Sequence, residues 1–460
     1  MNKSQLNELQ SLFPADRLLL DEAERWAYGY DNSRKHSLPD AVVFAKTHED
    51  VKQLIEFCNE NNIALTARGR GSGTTGGTVP LKAGIVLSME KMTNILEIDA
   101  NNRVAIVQPG VTNLSLQQAI GEQGFFWPPD PTSAAFCTIG GNLAFNSAGP
   151  RAVKYGTPRE NILGLKAITG SGKELITGTQ TTKGVVGYDL TRLIVGSEGT
   201  LAIITEAILK LTPLPEAKQV LQAIYKDIHS AAEAVSSIMA QAFTPCALEF
   251  IDGKAMDLVR EFSKSSLPLD AGAMLMIEID GPEISLEDGA KKIEMAANNA
   301  GLISFSQAIT DQEIDALWAT RKSLSPALRN AAPKKINEDV VVPVSRMPEL
   351  INGLDKISEK FGINIVNFGH AGNGNIHVNL LTNPENPLHA KNTEPCLAEV
   401  FSLVLDLNGT LSGEHGVGIE KRDYVDQEIT PNSLFYMREI KNLFDQKGIL
   451  NPDKMFPLQE

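Results

Sequence analysis

The chain has 460 residues, of which 42% are hydrophobic, and a formal charge of −14. That length and apolar content can bury sizeable cores in two or three domains. The acidic balance, with no clustered Lys/Arg footprint, excludes a nucleic-acid backbone as partner. Cys58, Cys137, Cys246 and Cys396 are dispersed and form no C-x-x-C pair, which argues against a zinc knuckle or a dithiol redox centre. The N-terminal run MNKSQLNELQSLFPADR lacks the apolar centre of a signal peptide, and no apolar run is long enough to span a bilayer. A cytoplasmic protein with reduced thiols is expected.

From about residue 40 to 215, β-branched runs such as AVVFA, GIVLS, RVAIVQPG and LAIITEAILKLTPL alternate with Gly/Pro turns and short helical patterns such as VKQLIEFCNENN. This predicts a strand-rich α+β domain. Beyond LTPLPEAK, the segments KDIHSAAEAVSSIMAQAF, CALEFID, AMLMIEID and LEDGAKKIEMAANNA read as helix, strand, strand, helix, the pattern of a ferredoxin-like unit. The helix QEIDALWATRKSLSPALRN, a strand near DVVVPV and two further helical stretches follow, and NPDKMFP reads as a terminal turn. Neither an internal repeat nor a low-complexity segment is present.

The stretch RGRGSGTTGG, residues 68–77, contains G-x-G-x-x-G at Gly71, Gly73 and Gly76 after the strand NIALTAR. A Rossmann site also requires a helix opening at the glycines. Here TVPLKAGIVLSM follows, with Pro80 and Gly84 breaking any helix, so a nicotinamide site is not expected. The glycine-rich backbone can still gather N–H groups around an anion, or it can be a purely structural turn. A second uncharged, small-residue run spans Pro129 to Gly149, and a third, GSEGTLAII, spans Gly196 to Ile204. Three close-approach surfaces in one domain point to a large ligand.

These three motifs together resemble the FAD-binding domain of the vanillyl-alcohol oxidase and p-cresol methylhydroxylase (PCMH) superfamily, over roughly residues 38 to 215. The resemblance implies that the first loop cradles the FAD pyrophosphate through Arg68, Gly69, Gly71, Ser72, Gly73, Thr74, Gly76 and Gly77. Further cofactor contacts are expected from Pro109 and Gly110, and from Thr138, Gly140, Gly141, Asn142, Asn146 and Gly149. Glu198, Gly199 and Ile204 complete the expected set. Covalent members carry a histidine in this loop where Ser72 stands here, so non-covalent FAD is expected.

In INIVNFGHAGNGNIHVNL, residues 363–380, two alternating apolar runs flank Asn373-Gly374, a strong hairpin signal. A two-residue type I′ turn at that pair would set His370 directly opposite His377, at chelating separation, with Asn379 on the same face. Two half-buried strand histidines are the alternative reading. In NGTLSGEHGVGIEK, residues 408–421, Glu414 and His415 sit between glycines. Glu414 could complete a His-His-carboxylate site, and His415 could act as a base. Arg321, in LWATRK, could grip a carboxylate or simply lie on a helix surface; Lys322, Ser325 and Lys335 are further polar candidates.

The two glycine-flanked segments resemble the C-terminal domain of the FAD-linked D-2-hydroxyacid dehydrogenases, so that the resemblance covers nearly the whole chain. It implies metal ligation by His370, His377 and Glu414, catalysis by His415, and substrate contacts from Arg321, Asn379 and Lys335. Zinc is the first expected ion, and manganese or iron suits the same donors. The expected architecture is α+β: a PCMH-type FAD-binding domain over residues 1–215, a ferredoxin-like substrate (cap) domain over 216–405, and a C-terminal helical segment over 406–460 that packs back on the first. The implied reaction oxidises a small 2-hydroxy acid, D-lactate first, with D-2-hydroxyglutarate and glycolate as alternatives. A non-catalytic subunit of FAD fold is a more remote one. Electrons would leave to a quinone, a cytochrome or an electron-transfer flavoprotein, with peripheral contact at the inner face of the membrane and homodimerisation both open.

Overall fold

The computed structural model describes residues 1–263, 268–308 and 310–458. The side chains of Lys322 and Ser325 lie outside the described residues. The chain divides into two compact units, one of residues 1–148, 156–214 and 414–460, the other of 149–155 and 215–413. The C-terminal segment is therefore split, its first eight positions going with the second unit, and the short stretch from Gly149 to Tyr155 also belongs there.

In the first unit, strands β1 (Leu18–Leu19), β2 (Ala41–Phe44), β3 (Leu65–Arg68) and β4 (Ile85–Ser88) form a sheet in the order β1-β2-β4-β3. The pairings of β4 with β2 and β3 are parallel. β2 and β4 are buried along their whole length, as expected of parallel strands covered on both faces. The crossover helix His48–Asn61 starts at a capping box of Thr47 and Asp50 and stops at Asn62 in the left-handed region. It buries Val51, Leu54, Ile55, Phe57 and Cys58.

A second, antiparallel sheet comprises β5 (Ile95–Asp99), β6 (Val104–Val107), β8 (Ile162–Thr169), β9 (Glu174–Gly178) and β10 (Ala202–Lys210). Its order is β5-β6-β10-β8-β9, and β7 (Phe125–Phe126) pairs separately with β11 (Thr212–Pro213). No helix follows the first glycine loop before β4, as the Pro80 and Gly84 breakers require.

The second unit is built on seven antiparallel strands: β12 (Ala217–Tyr225), β13 (Ala247–Asp252), β14 (Ala273–Gly281), β15 (Leu302–Ala308), β16 (Lys334–Val341), β17 (Asn364–His370) and β18 (Asn375–Thr382). Their order is β15-β12-β14-β13-β17-β18-β16. The first four strands, with helices Ile228–Ala240 and Glu283–Ala297, make the βαββαβ arrangement of a ferredoxin-like fold. An extra helix, Gly253–Ser263, is inserted between β13 and β14. One sheet face buries Ile224, Ile251, Met274, Val366 and Phe368 against Met256, Leu324 and Leu328 of helices Gly253–Ser263 and Asp311–Ala331. On the opposite face, the Tyr225 hydroxyl donates to the Ala297 carbonyl at 2.8 Å.

The hairpin differs from expectation. Residues Ala371–Asn373 form a 3-10 turn and Gly374 follows in the left-handed region at φ 72°, so the connection has four residues rather than two. The pairing then sets Phe368, not His370, opposite His377. The two histidines are diagonal neighbours on one face, which still brings their rings together. The longer turn is held by the Gly374 N–H on the Ala371 carbonyl at 2.9 Å and the Val342 N–H on the Gly374 carbonyl at 3.1 Å. A side chain at Gly374 would collide with the Val342 carbonyl.

Asp252 ties this half of the sheet together. Its carboxyl accepts the Ala255 N–H at 2.7 Å and the Asn367 N–H at 2.6 Å. Burial outweighs these donors and pushes its pKa up to about 7. That value lies above the one near 3.9 of an unfolded chain. The protonated carboxyl therefore contributes stability in full below about pH 4, and the contribution is lost as pH rises through about 7.

Two outcomes are expected. Gly374→Ala should cost about 2–3 kcal/mol and lower the melting temperature, whereas Gly121→Ala, at a helix position with open space around it, should be neutral or slightly stabilising. Asp252→Asn should flatten the fall in denaturation midpoint between about pH 4 and pH 7.

Candidate active site

The three glycine motifs of the first unit meet on one short helix, Ile139–Phe145. Thr138 is its N-cap, accepting from the Gly141 N–H at 3.3 Å. A side chain at Gly69 would strike Thr138, and one at Gly77 would strike the Phe145 ring at the far end. The Gly196 N–H donates to the Leu143 carbonyl and the Glu198 N–H to the Ala144 carbonyl, each at 2.8 Å, with Gly196 and Glu198 both at positive φ. Gly140 is closed against Pro109, and Gly110 against the Met89 and Met92 carbonyls.

These glycines serve packing. Gly73 instead has nothing near its missing side chain, Gly199 only Ala67 at 3.9 Å, and Gly141 only Thr138 at 3.4 Å. Residues 71–74 are half-buried. This leaves an uncharged, small-residue floor at Ser72, Gly73 and Thr74, with free approach to the backbone, and it fits a flavin dinucleotide.

Several expected cofactor residues have protein partners. The Arg68 guanidinium is buried and donates to the Tyr30 carbonyl and to Thr78, and burial lowers its pKa. Asn142 accepts from the Asn113 amide at 3.2 Å. Asn146 caps the short helix in the left-handed region and accepts from Thr157 at 3.0 Å. Ile204 lies buried in β10 opposite Ala167. Glu198 is buried, its carboxylate accepting the N–H groups of Val417 at 2.7 Å and Gly418 at 2.8 Å, while burial pushes its pKa up.

That last contact shapes the segment carrying Glu414 and His415. The glycine-rich loops also hold its backbone: Ser147 Oγ donates to the Glu414 carbonyl at 3.0 Å and Thr75 Oγ1 to the His415 carbonyl at 3.3 Å. Gly416 and Gly418 have positive φ, and a side chain at Gly418 would strike the Thr75 carbonyl. Both side chains of the Glu-His pair are half-buried.

In the second unit, the sheet face that carries Phe368 continues into a polar cluster. The His370 and His377 rings are 5.2 Å apart, edge to face, and both are buried. His370 Nδ1 lies 2.5 Å from one Glu249 carboxylate oxygen, and Arg321 Nε donates to the other at 2.6 Å. Burial would raise the Glu249 carboxyl, but the neighbouring His370 and Arg321 outweigh it and hold it down to about 2. The Arg321 guanidinium also lies over the Phe368 ring at 4.7 Å. Asn379 is fully buried, accepting from the Asn337 amide at 2.7 Å and donating to the His377 and Val366 carbonyls. Lys335 is half-buried on β16, opposite Leu381 and two positions before Asn337.

Two residues of this cluster were not singled out from the sequence. Glu249 is an acid set between apolar residues in the buried strand ALEFID, and that setting was its signal. Asp339, fully buried opposite His377, accepts from the Asn375 amide at 2.6 Å and the Gly413 N–H at 3.0 Å. It therefore anchors the residue just before Glu414, and its oxygen lies 3.8 Å from His377 Nδ1. No described helix is long and apolar enough to cross a membrane.

A glycine-lined cradle with open backbone, carried in one chain with a buried histidine, arginine and carboxylate cluster, suits an FAD-linked oxidoreductase. Residues 39–178 match the FAD binding domain family, and residues 214–455 match the family of FAD linked oxidases, C-terminal domain. The chain belongs to the FAD-linked oxidases. It is 40% identical to the glycolate oxidase subunit GlcD of Bacillus subtilis, over 94% of this chain and 93% of that one. It is 36% identical to a D-lactate dehydrogenase of Archaeoglobus fulgidus, over 93% and 95% of the two chains. A D-2-hydroxyglutarate dehydrogenase of Stutzerimonas stutzeri is 30% identical, over 98% of each. The solved structure of p-cresol methylhydroxylase with substrate bound superposes with a TM-score of 0.79 over 98% of this chain and 97% of that one, at 17% identity; it shares the fold.

The two kinds of glycine should separate experimentally. Gly73→Val should lower the flavin-to-protein absorbance ratio with little change in melting of the flavin-free protein. Gly140→Val, which must displace Pro109, should lower the melting temperature itself by an amount equivalent to about 1–3 kcal/mol.

Proposed function

We propose that the protein oxidises a small D-2-hydroxy acid, D-lactate first, to the 2-oxo acid. The observation that carries this reading is a buried glutamate with His370 on one Glu249 oxygen and Arg321 on the other, and a second imidazole, His377, with its ring 5.2 Å from that of His370. Arg321 holds the substrate carboxylate through the guanidinium edge not given to Glu249, a bidentate geometry suited to that group. Lys335 borders the bound acid, while Asn379, fully buried with its amide committed to Asn337, Val366 and His377, supports the strand behind it. The similarity to enzymes named for glycolate, D-lactate and D-2-hydroxyglutarate supports the substrate class.

His370, His377 and Glu414 would hold a divalent ion, zinc first with manganese or iron suited to the same donors, which when bound would acidify the substrate hydroxyl. His415 takes the hydroxyl proton. FAD, which the first unit would hold non-covalently, would supply the acceptor for the hydride from C2. The electrons would then leave to an external quinone, cytochrome or electron-transfer flavoprotein.

The test is anaerobic mixing of the purified protein with D-lactate, L-lactate, glycolate and D-2-hydroxyglutarate in turn, following the flavin absorbance with and without chelator. Rapid bleaching by D-lactate, lost after chelation and restored by zinc, is expected. Faster bleaching by glycolate or D-2-hydroxyglutarate would reassign the substrate, and bleaching by none would refute the hydroxy-acid reading. Arg321→Lys should lower kcat/KM about 100-fold, mainly through KM, and His415→Asn should lower kcat by a factor on the order of 100 to 10,000.

A further inference from the structure

Resting on that reading, we propose that Glu249 is a positioning residue that ties the grip on the substrate carboxylate to the grip on the metal. Its side chain is 1% exposed, and each oxygen has a separate task. One meets His370 Nδ1 at 2.5 Å, and the other accepts from Arg321 Nε at 2.6 Å. Occupying Nδ1 leaves Nε2 as the ring nitrogen that can ligate an ion, and it fixes the plane of the imidazole. Occupying Nε leaves the two terminal guanidinium nitrogens as the pair that can meet a carboxylate in parallel.

The backbone allows little freedom in this arrangement. Glu249 and His370 are directly opposed in the β13–β17 pairing, so neither can slide without breaking the ladder. Arg321 comes from the covering helix Asp311–Ala331 and lies over the ring of Phe368, two residues before His370 on the same strand. Strand pairing and helix packing therefore converge on one carboxylate. A lone charge buried so deeply is strongly unfavourable, so disturbing either partner must disturb the other.

Glutamine at this position keeps the volume but offers a single acceptor oxygen. Its NH2 would face one of the two donors, so either the imidazole or the guanidinium loses its anchor. Aspartate keeps the charge on a stem one methylene shorter.

The experiment uses the full-length flavoprotein. Zinc affinity is measured by competition with a chromogenic chelator in the absence of substrate, alongside kcat, KM for D-lactate and the melting temperature, for wild type, Glu249→Gln and Glu249→Asp. Glu249→Gln is expected to weaken zinc binding about 10- to 100-fold and to raise KM more than it lowers kcat, with Glu249→Asp recovering part of both. If both variants melt earlier yet hold zinc with wild-type affinity and keep KM, Glu249 is a structural ion pair and the proposal falls. Should Glu249→Gln fail to fold, Glu249→Asp with unchanged zinc affinity and KM overturns it equally. Wild-type protein that takes up no zinc and is bleached by no hydroxy acid would instead overturn the reading on which the proposal rests, a result visible before any variant is made.

Discussion

A carboxylate with 1% of its side-chain surface exposed, such as Glu249, persists as an anion only if positive partners replace the water it has lost. The second unit is arranged to supply them. The antiparallel joining of β13 to β17 sets His370 opposite Glu249, and the helix Asp311–Ala331 carries Arg321 down onto the other oxygen. Each partner is thereby fixed in orientation as well as position. Preorganisation of this kind is what a reaction needs when a carboxylate and a hydroxyl of one small molecule must both be aligned.

The first unit solves a different problem, how to bring backbone close to a large flat ligand. Three separated glycine motifs converge on the helix Ile139–Phe145, which Gly69 and Gly77 flank and whose C-terminal carbonyls are satisfied by the Gly196 and Glu198 N–H groups. The glycines divide by role, some allowing elements to touch and others, notably Gly73, leaving space. The same frame holds the segment of Glu414 and His415, through Glu198, Ser147 and Thr75. The glycine-rich loops and the segment of Glu414 and His415 thus share one scaffold.

Much of this was legible in the chain. Pro80 and Gly84 excluded a helix after the first glycine loop, and β4 follows there. Apolar periodicity marked the helices His48–Asn61 and Asp311–Ala331, and the structure adds that Thr47 and Thr310 close capping boxes at their starts. The helix Ile139–Phe145 was not legible, because Gly140 and Gly141 are poor helix formers and only the surrounding loops hold it. Nor was the hairpin register: Asn373-Gly374 correctly marked a turn, but its length depends on the Val342 backbone, which reaches Gly374 from β16's end.

The sequence by itself determined the chemistry on offer: two histidines and an asparagine in alternating strands, a Glu-His pair between glycines, an arginine on a helix, and three loops too rich in glycine for ordinary structure. These follow from local rules, residue type and spacing, which act within a few positions. Only the tertiary structure decided that His370 and His377 meet diagonally rather than face to face, and that Glu249 rather than a nearer residue joins His370 to Arg321. The second outcome depends on contacts across 121 and 72 positions. Strand order and helix packing select such pairings, and no local pattern encodes them.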